Sequence, residues 1–271
     1  MSNSAPRSSG PQRFAYGSAP ERRDRIAQYV SDQGYCTIAE LSREFGVSEM
    51  TIRRDVGLLE VGGRLRGFHG GAGSLSAQDL NGSPYDDRDR VMAAAKHAIA
   101  LRALEFVHEN SVIAIDAGTT AAQFASVLPE ALGLRVATHS LSAVTALARK
   151  PEVEVNCLGG VLHPESLSFA GPSTLAAISN IQVDTLFLAA SGLNDRGTFC
   201  GTGFDAITKR ALIEVSNRVI LLADSSKFMT SAMVKVCEWD SIDTLVIDND
   251  IDPDQVSMLD RAGVEIITVE V

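Results

Sequence analysis

Cysteine is scarce in this 271-residue chain, and its four copies stand apart. Cys36, Cys157, Cys200 and Cys237 form no C-x-x-C pair, which argues against a disulfide framework or a cysteine zinc site. The five histidines lack metal-ligand spacing with one another, so the linear sequence points to no metal and no cofactor. Long apolar runs are missing too: nothing approaches the roughly 18 residues a membrane helix needs. No stretch near the N-terminus has the form of a secretory signal. The expectation is a cytoplasmic protein with no membrane partner. No internal repeat recurs at a fixed period. The length fits one large domain or two unequal ones, and 45% hydrophobic residues suffice for a sizeable core.

Lysine is absent from the first 73 residues, which carry ten arginines against eight acidic residues, a net charge of +2. The whole chain carries −10, so the other 198 residues hold −12. This asymmetry is what a small nucleic-acid module joined to an acidic body shows. The acidic body would repel DNA and limit non-specific binding.

Residues 1–17 are rich in Ser, Pro, Gly and Arg and read as a disordered tail. Arg7 and Arg13 could touch phosphates, but a solvated tail is the preferred reading. Three helices fit the next forty residues. Residues 21–33 place Ile26, Tyr29 and Val30 on one face, and Gly34 ends the helix. Thr37-Ile38-Ala39-Glu40 is a capping box, with Ile38, Leu41 and Phe45 at helical spacing after it. Gly46 breaks that helix, Ser48 caps the next, and Ile52, Val56 and Leu59 point inward. Two helices joined by a short glycine turn form a helix-turn-helix. Leu65-Arg66-Gly67-Phe68-His69-Gly70-Gly71 reads as a small basic hairpin, a wing. Residues 74–85 form a Ser/Gly/Asn/Pro linker interrupted at Pro84.

A different pattern begins near residue 86. A helix is predicted over 85–107, then strands at 111–115, 135–138, 153–158, 185–189, 219–223, 244–247 and 265–269, with helices at 120–128 and 141–148. The strands are nearly continuous apolar runs, as in a parallel sheet covered on both faces. The fold class is α/β: an N-terminal winged helix-turn-helix domain over 18–73, the linker, and a larger layered α/β domain with a mostly parallel sheet over 86–271.

The helix opening at Ser48 suits the major groove. Ser48, Glu49, Thr51 and Arg53 would reach base edges or phosphates, and Arg54 a phosphate. An arginine can make two parallel bonds to guanine, worth roughly 1–3 kcal/mol of discrimination. Arg64 and Arg66 make the wing basic. Gly57, inside the helix, costs about 1 kcal/mol relative to alanine.

In the second domain, Asp116-Ala117-Gly118-Thr119-Thr120 follows a strand and opens a helix. Backbone N–H groups at a helix start attract anions, and Gly118 allows close approach. Asp224-Ser225-Ser226-Lys227 also follows a strand, and Lys227 supplies a fixed positive charge. Both turns fall at carboxyl ends of parallel strands, where α/β folds hold ligands.

Val47-Ser48-Glu49-Met50-Thr51-Ile52-Arg53-Arg54-Asp55, with Leu58-Leu59-Glu60 and His69-Gly70-Gly71-Ala72, resembles the DNA-binding signature of the DeoR family of bacterial transcriptional regulators. Gly57 and Val61-Gly62-Gly63-Arg64 depart from that pattern. Asp116–Thr120, Thr138-His139-Ser140, Gly159-Gly160, Ser191-Gly192-Leu193 with Gly197, and residues 224–228 are similar to the family's sensor domain, so the resemblance spans roughly residues 18–250. It implies a fold similar to ribose-5-phosphate isomerase and a phosphorylated sugar-like effector. Gly118, Thr119, Thr120 and Lys227 would hold the phosphate, and Asp116, Thr138 and Ser191 would line the sugar end. It also adds His69 to the DNA-contacting set. His139 stands where the family usually has Asn, so it either alters effector choice or pH response or is a satisfied residue behind the site.

The resemblance implies a ligand-gated regulator, most often a repressor of carbohydrate or related catabolic genes. Its partners would be a double-stranded DNA operator and the effector. A symmetric operator implies a homodimer or homotetramer. The competing reading is a sugar-phosphate isomerase carrying a DNA module. Isomerisation needs a carboxylate base. In isomerases that resemble this fold, paired acids occupy the loop that here reads Ala190-Ser191-Gly192-Leu193-Asn194-Asp195. Only Asp195, with Asp205 further on, is acidic, and the enzyme reading is set aside.

Overall fold

The computed structural model describes residues 19–33, 35–62, 64–68, 70–73 and 85–271, apart from the side chains of Arg66, Phe68, Asp87 and Arg90. The tail with Arg7 and Arg13, the residues Gly34, Gly63 and His69, and the linker through Pro84 lie outside the described residues. The chain divides into two compact units, Met1–Ala77 and Gln78–Val271.

The first unit contains α1 (Ala19–Gln33), β1 (Tyr35–Thr37), α2 (Ile38–Phe45), α3 (Glu49–Val61), β2 (Arg66–Phe68) and β3 (Gly71–Gly73). Both helix starts are closed by side chains. The Glu40 N–H donates to Thr37 Oγ1 while Glu40 Oε2 accepts from the Thr37 N–H, and the Thr51 N–H donates to Ser48 Oγ. Gly46 ends α2 at φ +61°, a left-handed conformation that favours glycine. Ile26, Val30, Ile38, Leu41, Phe45, Ile52, Val56 and Leu59 form the core. Each such apolar side chain contributes about 1.5–3 kcal/mol by leaving water. Tyr29 is only partly buried, packed edge-on against Phe45.

The wing is an antiparallel pair of β2 and β3, and β3 also pairs with β1. The β1 strand was not anticipated, because three residues are too few to show a period. Gly71 permits that pairing: a Cβ there would sit 2.3 Å from Tyr35 Oη and 2.6 Å from the Cys36 carbonyl.

The second unit opens with α4 (Tyr85–Arg90) and α5 (Ala93–Ala103). One helix was expected over 85–107. It is split because Met92 adopts φ +56°, and the Lys96 ammonium takes the carbonyls of Arg88 and Val91 at the break. A buried lysine with that role leaves no mark in helical periodicity. The chain continues through β4 (Val112–Ile115), α6 (Thr119–Val127), β5 (Arg135–Thr138), α7 (Leu141–Leu147), β6 (Glu154–Cys157), β7 (Val161–His163), β8 (Ser168–Ala170), α8 (Pro172–Ile178) and β9 (Val183–Ala189). It then runs through β10 (Gly192–Asn194), β11 (Gly197–Cys200), α9 (Gly203–Glu214), β12 (Ser216–Leu222), β13 (Val234–Cys237), β14 (Thr244–Asp248), α10 (Pro253–Ala262) and β15 (Glu265–Val269).

Seven strands form a parallel sheet in the order β15-β14-β12-β9-β4-β5-β6. Alternate residues point to opposite faces. Ile113, Ile115, Phe187, Ile220 and Leu222 pack with Ile99, Phe124 and Leu147 of α5, α6 and α7. Ala114, Leu186, Leu188 and Leu221 pack with Ile178, Leu212 and Leu259 of α8, α9 and α10. The result is three layers, with the central strands nearly continuously buried and the edge strands β6 and β15 partly exposed. The hairpin β7-β8 and the small antiparallel sheet β10-β11-β13 were not anticipated. Strand order reverses between β4 and β9: β5 and β6 lie on one side, β12, β14 and β15 on the other. Loops diverge at such a point and leave a crevice at the carboxyl ends. No helix among the described residues is long and apolar enough to cross a membrane.

Candidate functional site

The α3 helix presents Ser48, Glu49, Arg53 and Arg54 to solvent, while Ile52, Val56 and Leu59 anchor its other face. Arg53 is loosely paired with Glu49 at 3.7 Å, both more than half exposed, so the pair is easily exchanged for another anion. Thr51 is half-buried, its hydroxyl 2.9 Å from Ser48 Oγ. Arg64 is exposed and paired with Asp24 of α1. Asp55, within the same motif, has a different role. It is buried and accepts from Arg22 Nε at 2.7 Å, tying α3 to α1.

A cleft opens in the second unit at the strand-order reversal, between the loops after β4 and β9. Gly118, Thr119, Thr120, Ser191 and Lys227 all line it, so five of the seven expected effector residues converge. Gly118 precedes α6 at φ +143°, and a Cβ there would press to 3.1 Å on the Ala189 Cβ. The first turn of α6, whose N–H groups have no partner within the helix, forms one wall with Thr119 and Thr120. Lys227 stands 3.8 Å from buried Asp224, one of whose oxygens has no hydrogen-bond partner.

Asp116 and Thr138 lie behind the wall, fully buried. Thr138 donates to the Ile115 carbonyl at 2.6 Å and accepts the Ser140 N–H, which shapes the start of α7. Asp116 Oδ2 accepts the Ala189 N–H at 2.9 Å and an ammonium hydrogen of Lys209, joining the β4 loop, the β9 end and α9. Lys209 also donates to the Ala189 carbonyl at 3.1 Å and faces Asp205 at 3.8 Å. Burial alone would lower its pKa, but Asp116 and Asp205 outweigh that and hold the ammonium above the usual lysine range. His139 is buried beside Asp116, Nε2 to Oδ1 3.6 Å, and burial pushes its pKa below the ordinary imidazole value.

Arg88, Asp205 and Lys209 also line the cleft and were missed as effector candidates. Arg88 donates from Nη2 to the Glu165 carbonyl at 2.8 Å, while its buried Nε has no partner. Asp205 and Lys209 lie one turn apart on α9, a spacing in the sequence that resembles any surface ion pair. Burial, then repulsion by Lys227, lowers the Lys96 pKa to about 8. Asp195, the acid of the isomerase reading, is exposed in the β10–β11 turn and is not part of the cleft wall.

One unit exposes Arg53 and Arg54 on a capped helix of a helix-turn-helix, and the other holds a cleft lined by Arg88, Lys209 and Lys227, the features of a nucleic-acid module joined to a second, cleft-bearing module. Residues 22–78 match the family described as DeoR-like helix-turn-helix domain, and residues 91–249 match DeoR C terminal sensor domain. The chain is 33% identical to the L-fucose operon activator of Haemophilus influenzae, covering 87% of this chain and 94% of that one. It is 31% identical to a putative aga operon transcriptional repressor of Escherichia coli O157:H7 (92% and 93% covered). It is also 33% identical to the glycerol-3-phosphate regulon repressor of Escherichia coli K12 (84% and 90% covered). Ribose 5-phosphate isomerase A of Methanocaldococcus jannaschii is among the similar solved structures, at TM-score 0.38 and 20% identity over 50% of this chain and 54% of that one. The chain belongs to the DeoR family of transcriptional regulators.

Proposed function

We propose that this protein is a repressor of carbohydrate or related catabolic genes whose operator binding is controlled by a phosphorylated sugar-like effector in the cleft of its second unit. The observation that carries the reading is the convergence of the α6 start, Lys227 and the unpartnered Arg88 Nε on one crevice at the strand-order reversal. A buried guanidinium N–H without an acceptor is costly, and a phosphate oxygen supplies one. Relatives named for the glycerol-3-phosphate regulon and for sugar operons support the choice of effector class.

Gly118, Thr119, Thr120, Lys227 and Arg88 hold the phosphate. Ser191 and Asp205 meet the hydroxyls, and Asp116 and Thr138 act from behind by fixing the loops. On DNA, Ser48, Glu49, Thr51 and Arg53 read bases and phosphates, and Arg54, Arg64, Arg66 and His69 hold the backbone. The working form is a homodimer or homotetramer, because one helix-turn-helix reads only a few base pairs. The effector shifts the balance between DNA-competent and incompetent states by binding them unequally.

A thermal-shift panel of sugar phosphates against their unphosphorylated parents tests the effector class. A ligand at 100 times its Kd adds about 2.7 kcal/mol to the native state. A phosphorylated hit should release operator DNA in a gel shift. Lys227→Ala and Arg88→Ala should each weaken that hit about tenfold or more, the loss of a charge-assisted contact of about 1.5–3 kcal/mol, while leaving operator affinity in place. Equal shifts from phosphorylated and parent sugars would remove the phosphate from the reading.

A further inference from the structure

We infer that Asp116, His139 and Asp205 form a binding site for a divalent first-row metal ion just behind the wall of the cleft. One ligand atom from each lies within 4.8 Å of the others. They come from three elements: the loop after β4, the loop after β5, and the first turn of α9. In a tetrahedral site two ligands each about 2.1 Å from the metal stand about 3.4 Å apart, so the trio closes on an ion by shifts of about 1–1.5 Å. Asp205, only partly buried at the cleft wall, is placed to make that movement.

Unpaired buried atoms identify the trio as more than a chance acidic cluster. His139 is 1% exposed, and neither ring nitrogen has a hydrogen-bond partner. Asp116 is fully buried, and its Oδ1, which faces His139 Nε2, has no partner either. Buried polar atoms are ordinarily paired, so His139 Nε2 and Asp116 Oδ1, two orphans facing each other at 3.6 Å, call for a group between them. Lys209 occupies the other Asp116 oxygen, Oδ2, and so fixes the carboxylate with Oδ1 turned toward the imidazole. A hydrogen bond on the non-ligating oxygen is the usual support of a metal carboxylate.

The charges agree with this arrangement. Two carboxylates and the Lys209 ammonium leave −1 at the cluster while His139 is neutral. A divalent ion turns this to +1 beside the place proposed for an anionic ligand. Imidazole with two carboxylates favours zinc, cobalt, nickel or manganese over calcium or magnesium. Three protein ligands leave at least one coordination position, which a water or an effector hydroxyl would fill. The three ligands are 23 and 66 residues apart in sequence, so the site arises only from the fold.

The test uses the full chain, stripped with a chelator and titrated with Co2+ alone. The expected result is one equivalent bound per chain, a visible nitrogen/oxygen-ligand spectrum without a thiolate charge-transfer band, and displacement by Zn2+. His139→Asn and Asp205→Asn should each weaken binding about tenfold or more. Asp205→Asn sits at the partly exposed wall, so it decides the matter if the buried His139→Asn chain does not fold. No stoichiometric uptake, a thiolate band, or affinity unchanged by Asp205→Asn would overturn the site. Sugar-phosphate binding to the metal-free protein is measured in parallel. Effector binding without Co2+ uptake sinks the metal site alone, and Co2+ uptake without any sugar-phosphate response sinks the effector reading alone.

Discussion

The two units place their charges in opposite ways. In the first, Arg53, Arg54 and Arg64 stand in water, and the one deeply buried acid, Asp55, is matched by Arg22. In the second, Lys96, Asp116, His139, Lys209 and Asp224 are all buried near one cleft. A surface that binds a long polyanion works through mobile, exposed cations that release counterions. A site for a small ligand needs charges already fixed and desolvated, because the ligand brings too few contacts to order them itself. On the function proposed above, the same residue types serve two purposes, and burial tells them apart.

Removing a charge should therefore have the largest effect in the second unit. Lys209→Met leaves Asp116 buried without its cation. It should destabilise that unit by about 3–5 kcal/mol, read as a lower urea midpoint. A loss under about 1 kcal/mol would mean that the Asp116–Lys209 pair does not hold the cleft together.

Lys96 gives a pH test of nearly that size. Its folded pKa of about 8 lies below the unfolded value of about 10.4, so the native state binds fewer protons between the two. The penalty for burying the ammonium is fully present below pH 8 and is relieved as pH rises. Stability should gain up to about 3 kcal/mol between pH 8 and 10.4 relative to Lys96→Met, in paired denaturation series. A bound anion favours the charged form, so effector affinity should weaken above pH 8 in the wild type and stay flat in the variant. Parallel pH curves for the two chains would show that Lys96 is not the titrating group.

The first unit should respond through recognition instead. Arg53→Ala should lose about 1–3 kcal/mol on the preferred operator and relax base preference. Arg54→Ala should weaken all sequences alike and reduce the salt slope by about one ion. Neither should change the melting temperature appreciably, since exposed substitutions act within about 0.5 kcal/mol. Two variants that bind like wild type in salt-dependent gel shifts would remove α3 from the groove. The smallest effect is a gain. A Cβ added at Gly57 meets nothing within 4 Å, so Gly57→Ala should stabilise the unit by about 1 kcal/mol in a thermal melt.

Much of this was legible because it was local. Caps at Thr37 and Ser48, the Gly46 stop, and the inward Ile52, Val56 and Leu59 each depend on neighbours within a turn or two. The central strands announced themselves as apolar runs because helices cover both their faces. The loops with Gly118 to Thr120 and with Lys227 were recognisable as turns after strands. Arg88, Asp205 and Lys209 were not recognisable as effector candidates, since their partners are 77, 93 and 20 residues away or are supplied by the cleft itself. The break at Met92 and the short strands β1, β7, β8, β10, β11 and β13 depend on tertiary pairing, with runs too short to show a period.

By itself, then, the sequence determined two units of unlike charge, a capped helix with paired arginines, and a parallel α/β body, because propensity, capping and burial pattern act over a few residues. Only the tertiary structure decided which charges are buried and what they face. Strand order carries Asp116, His139 and Asp205 to one point, and leaves Thr138 behind the wall while Arg88 reaches the cleft. The physical reason is that burial and charge pairing depend on distance in space, which the linear order of residues does not record.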